Sequence, residues 1–327
     1  MVNVQFVERR SQALTPSALA CLATIPTINL TAGCAHGCIY CYTRGYSRYP
    51  GEGTVLVYRN TAAQVTRELA RRRKKPMAVY FSPSSDAFQP VAEVLDAAYK
   101  TMKILLENGV GVQFVTKGAI PERFYALFER HRGLITGQVG LTTLHRPLSA
   151  ILEPGAPSVT ERLQVIGRLA ASGVAVSVRA DPLIHGITDS ETDLAELFAA
   201  CRNQSVKVVA ASYLFLRPAI ATSLRQRVSD AALLRKILAP YQPGQRFMLR
   251  GSASGGTALP SPLRRAGFDR LRALAAIYGL TLHLCGCKNP DLTSEQCHLT
   301  RLTASGPLPA EPLYAEPLLW RPAEEQQ

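Results

Sequence analysis

The chain lacks any apolar run of the eighteen or so residues that a membrane span needs. Residues 1–10 are polar and charged, and no long apolar stretch follows before Thr15 to form the core of a secretory signal. The expectation is a cytoplasmic protein without a membrane partner. Acidic residues are scarce, with 24 Asp and Glu against 37 Lys and Arg, and the resulting net charge of +13 draws polyanions to the molecule. Cysteine is absent between Cys41 and Cys201, and six of the eight cysteines fall in two tight groups, Cys34/Cys38/Cys41 and Cys285/Cys287/Cys297. That grouping excludes the laced disulfide framework of a small secreted domain and belongs to metal chemistry. Cys21 and Cys201 are left over and read as plain buried thiols. The remainder, 327 residues with 47% hydrophobic content, is ordinary for one large globular domain or two.

The chemistry concentrates in Cys34-Ala-His-Gly-Cys38-Ile-Tyr-Cys41. Three cysteines spaced C-x3-C-x2-C on one short loop can converge on a single inorganic cluster. A [4Fe–4S] cluster takes four ligands and this loop offers three. The iron left without a cysteine is open to a small molecule, which turns an electron carrier into a catalytic centre. Zinc would draw C-x2-C pairs matched by a second Cys/His pair, and none lies within the next forty residues. Gly33, Gly37 and Gly45 offer idle cysteines no core. His36, inside the loop, reads as an exposed residue, with a ligand or a donor to a cluster sulfide as the other roles open to it.

Strand and helix patterns alternate from residue 26. Strands are expected at 27–31, 77–82, 110–116, 135–143, 174–180 and 206–213. Helices are expected at 60–75, 91–108, 121–131, 158–172 and 191–203. Six repeats of about thirty residues demand a parallel sheet with right-handed crossovers. The fold class is therefore α/β, a partial (β/α)6 TIM-like barrel over 25–220, with a leader at 1–24 and a C-terminal extension at 221–327. In such barrels the chemistry sits at the C-terminal strand ends. The polar residues Ser84, Ser85, Asp86, Lys117, Thr142, Thr143, Arg179 and Asp181 fall there, on the same rim as the cysteine loop. Singly, Ser84, Ser85 and Asp86 could also cap the following helix. The basic run 71–75 fits either a helix C-terminus or a nucleic-acid footprint. The interleaved Tyr42, Arg44, Tyr46, Arg48 and Tyr49 suit base stacking with phosphate contact, or a substrate-lid loop.

With Cys34, Cys38, Tyr40, Cys41 and Tyr42, the turn Ser84-Ser85-Asp86 with Gln89-Pro90, Thr116-Lys117, the Glu153 to Ser158 turn with Arg162, and Arg179 to Pro182, the chain resembles the radical S-adenosylmethionine superfamily. The likeness is to its spore photoproduct lyase-like branch. The resemblance implies a [4Fe–4S] cluster on Cys34, Cys38 and Cys41, with S-adenosylmethionine in the open position. It implies cofactor contacts from Tyr40, from Ser85 with Ser84 as its neighbour, and from Thr143, and a meeting of Lys117 with the cofactor carboxylate. It further implies reductive cleavage to methionine and a 5′-deoxyadenosyl radical, which abstracts hydrogen from a substrate. The electron would come from a one-electron reductant such as flavodoxin or ferredoxin. Where the lyase proper has a cysteine just after the second strand to return a hydrogen atom, this sequence has Pro83 and two serines. The resemblance thus carries the cofactor chemistry and not thymine-dimer reversal by that route.

After residue 218 the alternation fades into helices expected at 223–238 and 263–278, around a Gly/Ser-rich loop at 251–256. Cys285, Cys287 and Cys297 then read as the ligands of a second Fe–S cluster. His298, His283, a cysteine elsewhere or the substrate could supply the fourth position, and zinc is the alternative metal. The tail at 307–327 reads as extended or loose. The function expected is a radical enzyme abstracting hydrogen from a nucleic acid or nucleotide. The alternatives are a radical enzyme acting on a peptide or small metabolite with the help of the second cluster, and a non-catalytic, metal-stabilised nucleic-acid-binding protein.

Overall fold

The computed structural model describes residues 2–17, 20–248, 255–295, 302–303 and 306–307. Strands β1 (Asn3–Val7), β2 (Thr27–Ile28), β3 (Thr31–Ala32) and β4 (Thr54–Tyr58) precede β5 (Ala78–Phe81), β6 (Gly111–Thr116), β7 (Ile135–Gly140), β8 (Ala175–Leu183) and β9 (Val208–Tyr213). The last third adds β10 (Gln245–Met248), β11 (Gly255–Ala258) and β12 (Thr281–Leu284). Helices α1 (Thr61–Arg71), α2 (Ala92–Glu107), α3 (Glu122–Arg130), α4 (Arg146–Leu152), α5 (Val159–Ala171) and α6 (Glu191–Asn203) fall between the central strands. α7 (Pro218–Arg227), α8 (Ala231–Leu238) and α9 (Ser261–Ile277) follow.

The main sheet has seven strands in the order β12-β9-β8-β7-β6-β5-β2, and every pairing in it is parallel. β5 and β7 are buried at every position, as parallel strands covered on both faces must be. Edge strands β12 and β2 do not pair with each other, so the barrel is partial and open. Helices cover the outside by burying one stripe each. α5, opened by a capping box between Ser158 and Glu161, buries Val159, Arg162, Val165, Ile166 and Leu169 at helical spacing. Phe88, Phe114, Phe124 and Phe128 form a continuous aromatic cluster between the sheet and α3.

The structure departs from the sequence reading at several elements, and adds α4 and the β10–β11 hairpin where none was expected. The strand expected at 27–31 is split: β2 stays in the main sheet, while β3 turns away to pair with β4, which pairs with β1. The leader thus contributes a strand, tied further by Asn60, whose side chain bonds the Arg9 backbone instead of capping α1. The helix expected at 223–238 breaks into α7 and α8 because the Asp230 carboxylate accepts from Ala232 N and Leu233 N and starts a new helix. The region after residue 220 also supplies β12, a seventh strand of the main sheet where six were expected. Among the described residues no helix is long and apolar enough to cross a membrane. Of the tail at 307–327, all but residue 307 lies outside the described residues.

Candidate active site

Cys34, Cys38 and Cys41 sit on the loop between β3 and a 3₁₀ turn at Tyr42–Gly45. The loop is held from four directions. Gln89 accepts from Ala35 N at 2.8 Å, and Arg44 folds back to donate to the carbonyls of Gly37 and Cys38. Gly155 N donates to His36 O at 2.9 Å, and a Cβ on Gly155 would lie 2.3 Å from Ala35 O, so only glycine permits this approach. His36 is the fourth tie and corrects the expectation of an exposed residue: it is 2% exposed, with Nε2 3.0 Å from Asp86 and Nδ1 3.1 Å from Gly155 O.

Asp86 is the hub. Besides His36 it accepts from Phe88 N at 2.8 Å, Thr116 Oγ1 at 2.7 Å and Lys117 N at 2.7 Å. Burial opposes its charge, but His36 and the backbone donors outweigh burial and hold its pKa below the ordinary value. Asp86 is therefore no helix cap: α2 begins after Val91 without a side-chain cap.

The three loop thiols open on one cavity of about 300 Å³. Tyr40, Ser84, Ser85 and Lys117 line it, as do Ser82, Arg179 and Asp181 from the neighbouring strand ends. Thr143 does not: its hydroxyl accepts from His145 N at 3.0 Å, and the unpaired buried hydroxyl in that strand end belongs to Thr142. Lys117 Nζ lies 3.9 Å from Glu153 and 5.6 Å from the Tyr40 ring centre. Burial acts to lower the Lys117 pKa, yet Glu153 and Cys38 outweigh it and the net shift is upward. Glu153, which also accepts from the Tyr40 hydroxyl, is paired more closely with Arg162, itself 1% exposed. Burial pushes the Cys38 thiol up to about 12, against the pull of Lys117.

Cys285 and Cys287, which follow β12, line the same cavity, and Cys21 joins them through contact with Cys287. Cys21 is thus no isolated core thiol, whereas Cys201 is fully buried in α6 as expected. Six of the eight cysteines surround one space. Cys297 and His298 lie outside the described residues, and His283, within β12, does not line the cavity. Among the described residues no three His, Cys, Asp or Glu side chains gather into a site for a single metal ion. A cubane asks for a different arrangement, because each thiolate binds its own iron.

A sequence model of the Radical SAM superfamily matches residues 28–198, more than half of the chain. The chain belongs to the Radical SAM superfamily. The Radical SAM Nalpha-GlyT isomerase of Pseudomonas phage M6 is 30% identical over 290 residues, which cover 82% of this chain and 58% of that protein. An uncharacterized protein of Mycobacterium tuberculosis is 27% identical over 184 residues, 52% of this chain and 53% of that one. The chain thus spans little more than half the length of these relatives. A spore photoproduct lyase mutant with bound AdoMet and dinucleoside spore photoproduct superposes with a TM-score of 0.67 at 17% identity, over 85% of this chain and 81% of that one. This likeness is one of fold.

Membership implies a [4Fe–4S] cluster, S-adenosylmethionine and an external reductant, and the donor set fits them. Three thiols edge one cavity, a lysine ammonium faces it, and the buried hydroxyls of Ser82 and Ser85 have no hydrogen-bond partner, the mark of groups that await a ligand.

The Asp86 hub makes a testable demand. Asp86→Asn is expected to destabilise the fold by about 3–5 kcal/mol at pH 7, since it breaks a buried pair. The folded pKa of Asp86 lies below the ordinary 3.8, so its contribution is complete above that value and is lost as the pH falls through the folded pKa. Urea unfolding should give a constant wild-type advantage at neutral pH that shrinks below about pH 3.8. An advantage that persists unchanged into acid would assign the loss to packing.

Proposed function

We propose that this chain is a radical S-adenosylmethionine enzyme that abstracts hydrogen from a nucleic-acid or nucleotide substrate. The observation that carries the reading is the single cavity on which Cys34, Cys38, Cys41, the Lys117 ammonium and the unpartnered Ser85 hydroxyl converge. When bound, the cluster and S-adenosylmethionine supply a 5′-deoxyadenosyl radical. The chain's own residues bind and orient. Cys34, Cys38 and Cys41 would each ligate one iron of a [4Fe–4S] cluster, which takes four ligands. Lys117, only loosely paired with Glu153, would meet the cofactor carboxylate, while Arg162 stays paired with Glu153. Ser85, with Ser84 and Ser82 beside it, offers hydroxyls to the cofactor's polar groups, and the buried Tyr40 ring forms the wall next to Lys117. Thr142, whose buried hydroxyl is unpaired, and Thr143 both follow β7 without lining the cavity.

A nucleic-acid substrate is supported by the net charge of +13 and by a rim of exposed Tyr42 and Tyr46 with Arg217 over the Tyr42 ring at 5.6 Å. Flavodoxin or ferredoxin would be the reductant. A cytoplasmic setting accords with thiols of which none among the described residues forms a disulfide. Dimer reversal is left out, because Pro83, Ser84 and Ser85 stand where a hydrogen-returning cysteine would be needed. The purely structural alternative has no use for orphaned hydroxyls around a cavity. A second Fe–S cluster is also part of the proposal, on Cys285, Cys287 and Cys297 with Cys21 as an added ligand, since Cys21 contacts Cys287.

Two measurements follow. Lys117→Ala should raise the S-adenosylmethionine Kd tenfold or more, the loss of about 1.5–3 kcal/mol for a charge-assisted contact, with the absorbance of the loop cluster intact. Unchanged affinity would return Lys117 to a structural pairing with Glu153. Reconstituted protein should carry about eight irons, falling to about four in the Cys285→Ala/Cys287→Ala/Cys297→Ala variant. About four irons in the wild type, with one zinc lost in the variant, would make the second group a zinc site.

A further inference from the structure

Beside the reaction cavity lies a second pocket, of about 150 Å³, lined by Arg9, Arg48, Tyr46, Tyr49, Tyr58 and Asn29. The two spaces share Thr43, Tyr46, Tyr49 and Ser84 as a common wall. A whole organic ligand takes upward of about 300 Å³, so this volume receives one group of a larger molecule. Its electrostatics are one-sided. Arg9 lies over the Tyr58 ring at 4.1 Å and donates through Nη2 to Asn29 O, while its buried Nε has no hydrogen-bond partner. Burial, and Arg48 beside it, lower the Arg9 pKa from its ordinary value, with Tyr58 and Glu68 pulling the other way. The acids nearby all have partners, Glu52 also accepting from the Tyr49 hydroxyl in the pocket lining. Glu68 accepts from Ala13 N and Leu14 N, Glu8 pairs with Arg59, and Glu52 pairs with Arg44 and Arg227.

Two guanidinium groups, one with a buried donor still unused, ask for an anion with several oxygens. We propose that this pocket is a phosphate subsite, which seats the backbone of a nucleic-acid or nucleotide substrate beside the cavity; the inference rests on the substrate class read above. A phosphate there lies between the Arg9 and Arg48 guanidinium groups. Tyr46, 40% exposed and on the wall shared with the cavity, then offers a ring to the base that leads inward. Tyr46, Arg48 and Tyr49 of the loop at 42–49 thus share one purpose, completed by Arg9 from the N-terminal segment.

The test uses anaerobically reconstituted protein and a short fluorescein-labelled single-stranded oligonucleotide, read by anisotropy over a salt series. Arg48 is exposed, so Arg48→Gln keeps the fold and the iron content. It should weaken binding about tenfold and reduce the slope of log K against log salt by about 0.7, one phosphate contact on a single strand. Arg9→Gln/Arg48→Gln should lose about twice that slope. Inorganic phosphate should displace the oligonucleotide from the wild type better than chloride of equal ionic strength, and should lose that advantage in Arg48→Gln. The control Arg72→Gln/Arg73→Gln removes two exposed charges beyond the end of α1. If the control loses as much as the pocket double variant, the subsite is overturned and the substrate class stands. If an acidic peptide depends on Arg48 and the oligonucleotide does not, the anion is a carboxylate and the phosphate assignment falls. If wild-type protein binds no oligonucleotide, the substrate class falls and takes the subsite with it. Binding is read without turnover, so none of these results bears on the cluster chemistry.

Discussion

The carboxylate of Asp86 fixes the geometry on which the rest depends. Its four donors come from three separate pieces of chain: His36 in the cysteine loop, Phe88 in its own turn, and Thr116 with Lys117 at the end of β6. The eight-residue loop Cys34–Cys41 forms no regular secondary structure to hold it rigid. By pinning His36, Asp86 lends the loop the rigidity of two adjacent parallel strands, and the same oxygen that holds His36 also holds the backbone from which Lys117 reaches the cavity. The position of the thiols relative to the ammonium is therefore set by one buried anion. Charged hydrogen bonds of this kind, made where water is excluded, are stronger than neutral ones.

A second buried charge system continues the first. Glu153 sits between Arg162 and Lys117 and also takes the Tyr40 hydroxyl. The turn that follows it approaches the cysteine loop through Gly155 and accepts His36 Nδ1 at a backbone carbonyl. On the far side of the cavity, Asp181 joins Arg179 to Lys288, which links the segment after β12 to β8. The C-terminal region is thereby drawn to the rim, and Cys285 and Cys287 come with it. Five of the six thiols face one space through strand order, since β12 pairs with β9 at one edge of the sheet and the cysteine loop follows β3, just beyond edge strand β2, at the other; Cys21 comes from the segment before β2.

Much of this was legible in the sequence where the determining contacts are local. The C-x3-C-x2-C loop is specified by spacing alone, and β5 to β9 announce themselves as apolar runs between amphipathic helices. What could not be read depends on partners distant in the chain. His36 looks like an exposed loop residue until Asp86 and Gly155 fold against it. Cys21 looks like a leftover until the segment after β12 arrives beside it. β1 pairs with β4 across the intervening residues 8–53, and its half-exposed pattern carries no alternation strong enough to mark a strand. β12 is four residues long and gains its identity only from pairing with β9. The break between α7 and α8 was available in Asp230, whose side chain favours a helix start over a helix interior. The adjacent hydroxyls of Thr142 and Thr143 look alike in sequence, and only the fold gives Thr143 a donor in His145 N while leaving Thr142 unpaired.

The most direct test is the formation of 5′-deoxyadenosine from S-adenosylmethionine by anaerobic, iron-reconstituted protein under dithionite, followed by liquid chromatography. Wild-type protein should form it, and Cys34→Ala, Cys38→Ala and Cys41→Ala should each form none, because the open iron exists only when all three thiolates surround the cluster. Formation at the wild-type rate in any of the three variants, or no formation by fully reconstituted wild type, would contradict a radical centre on this loop.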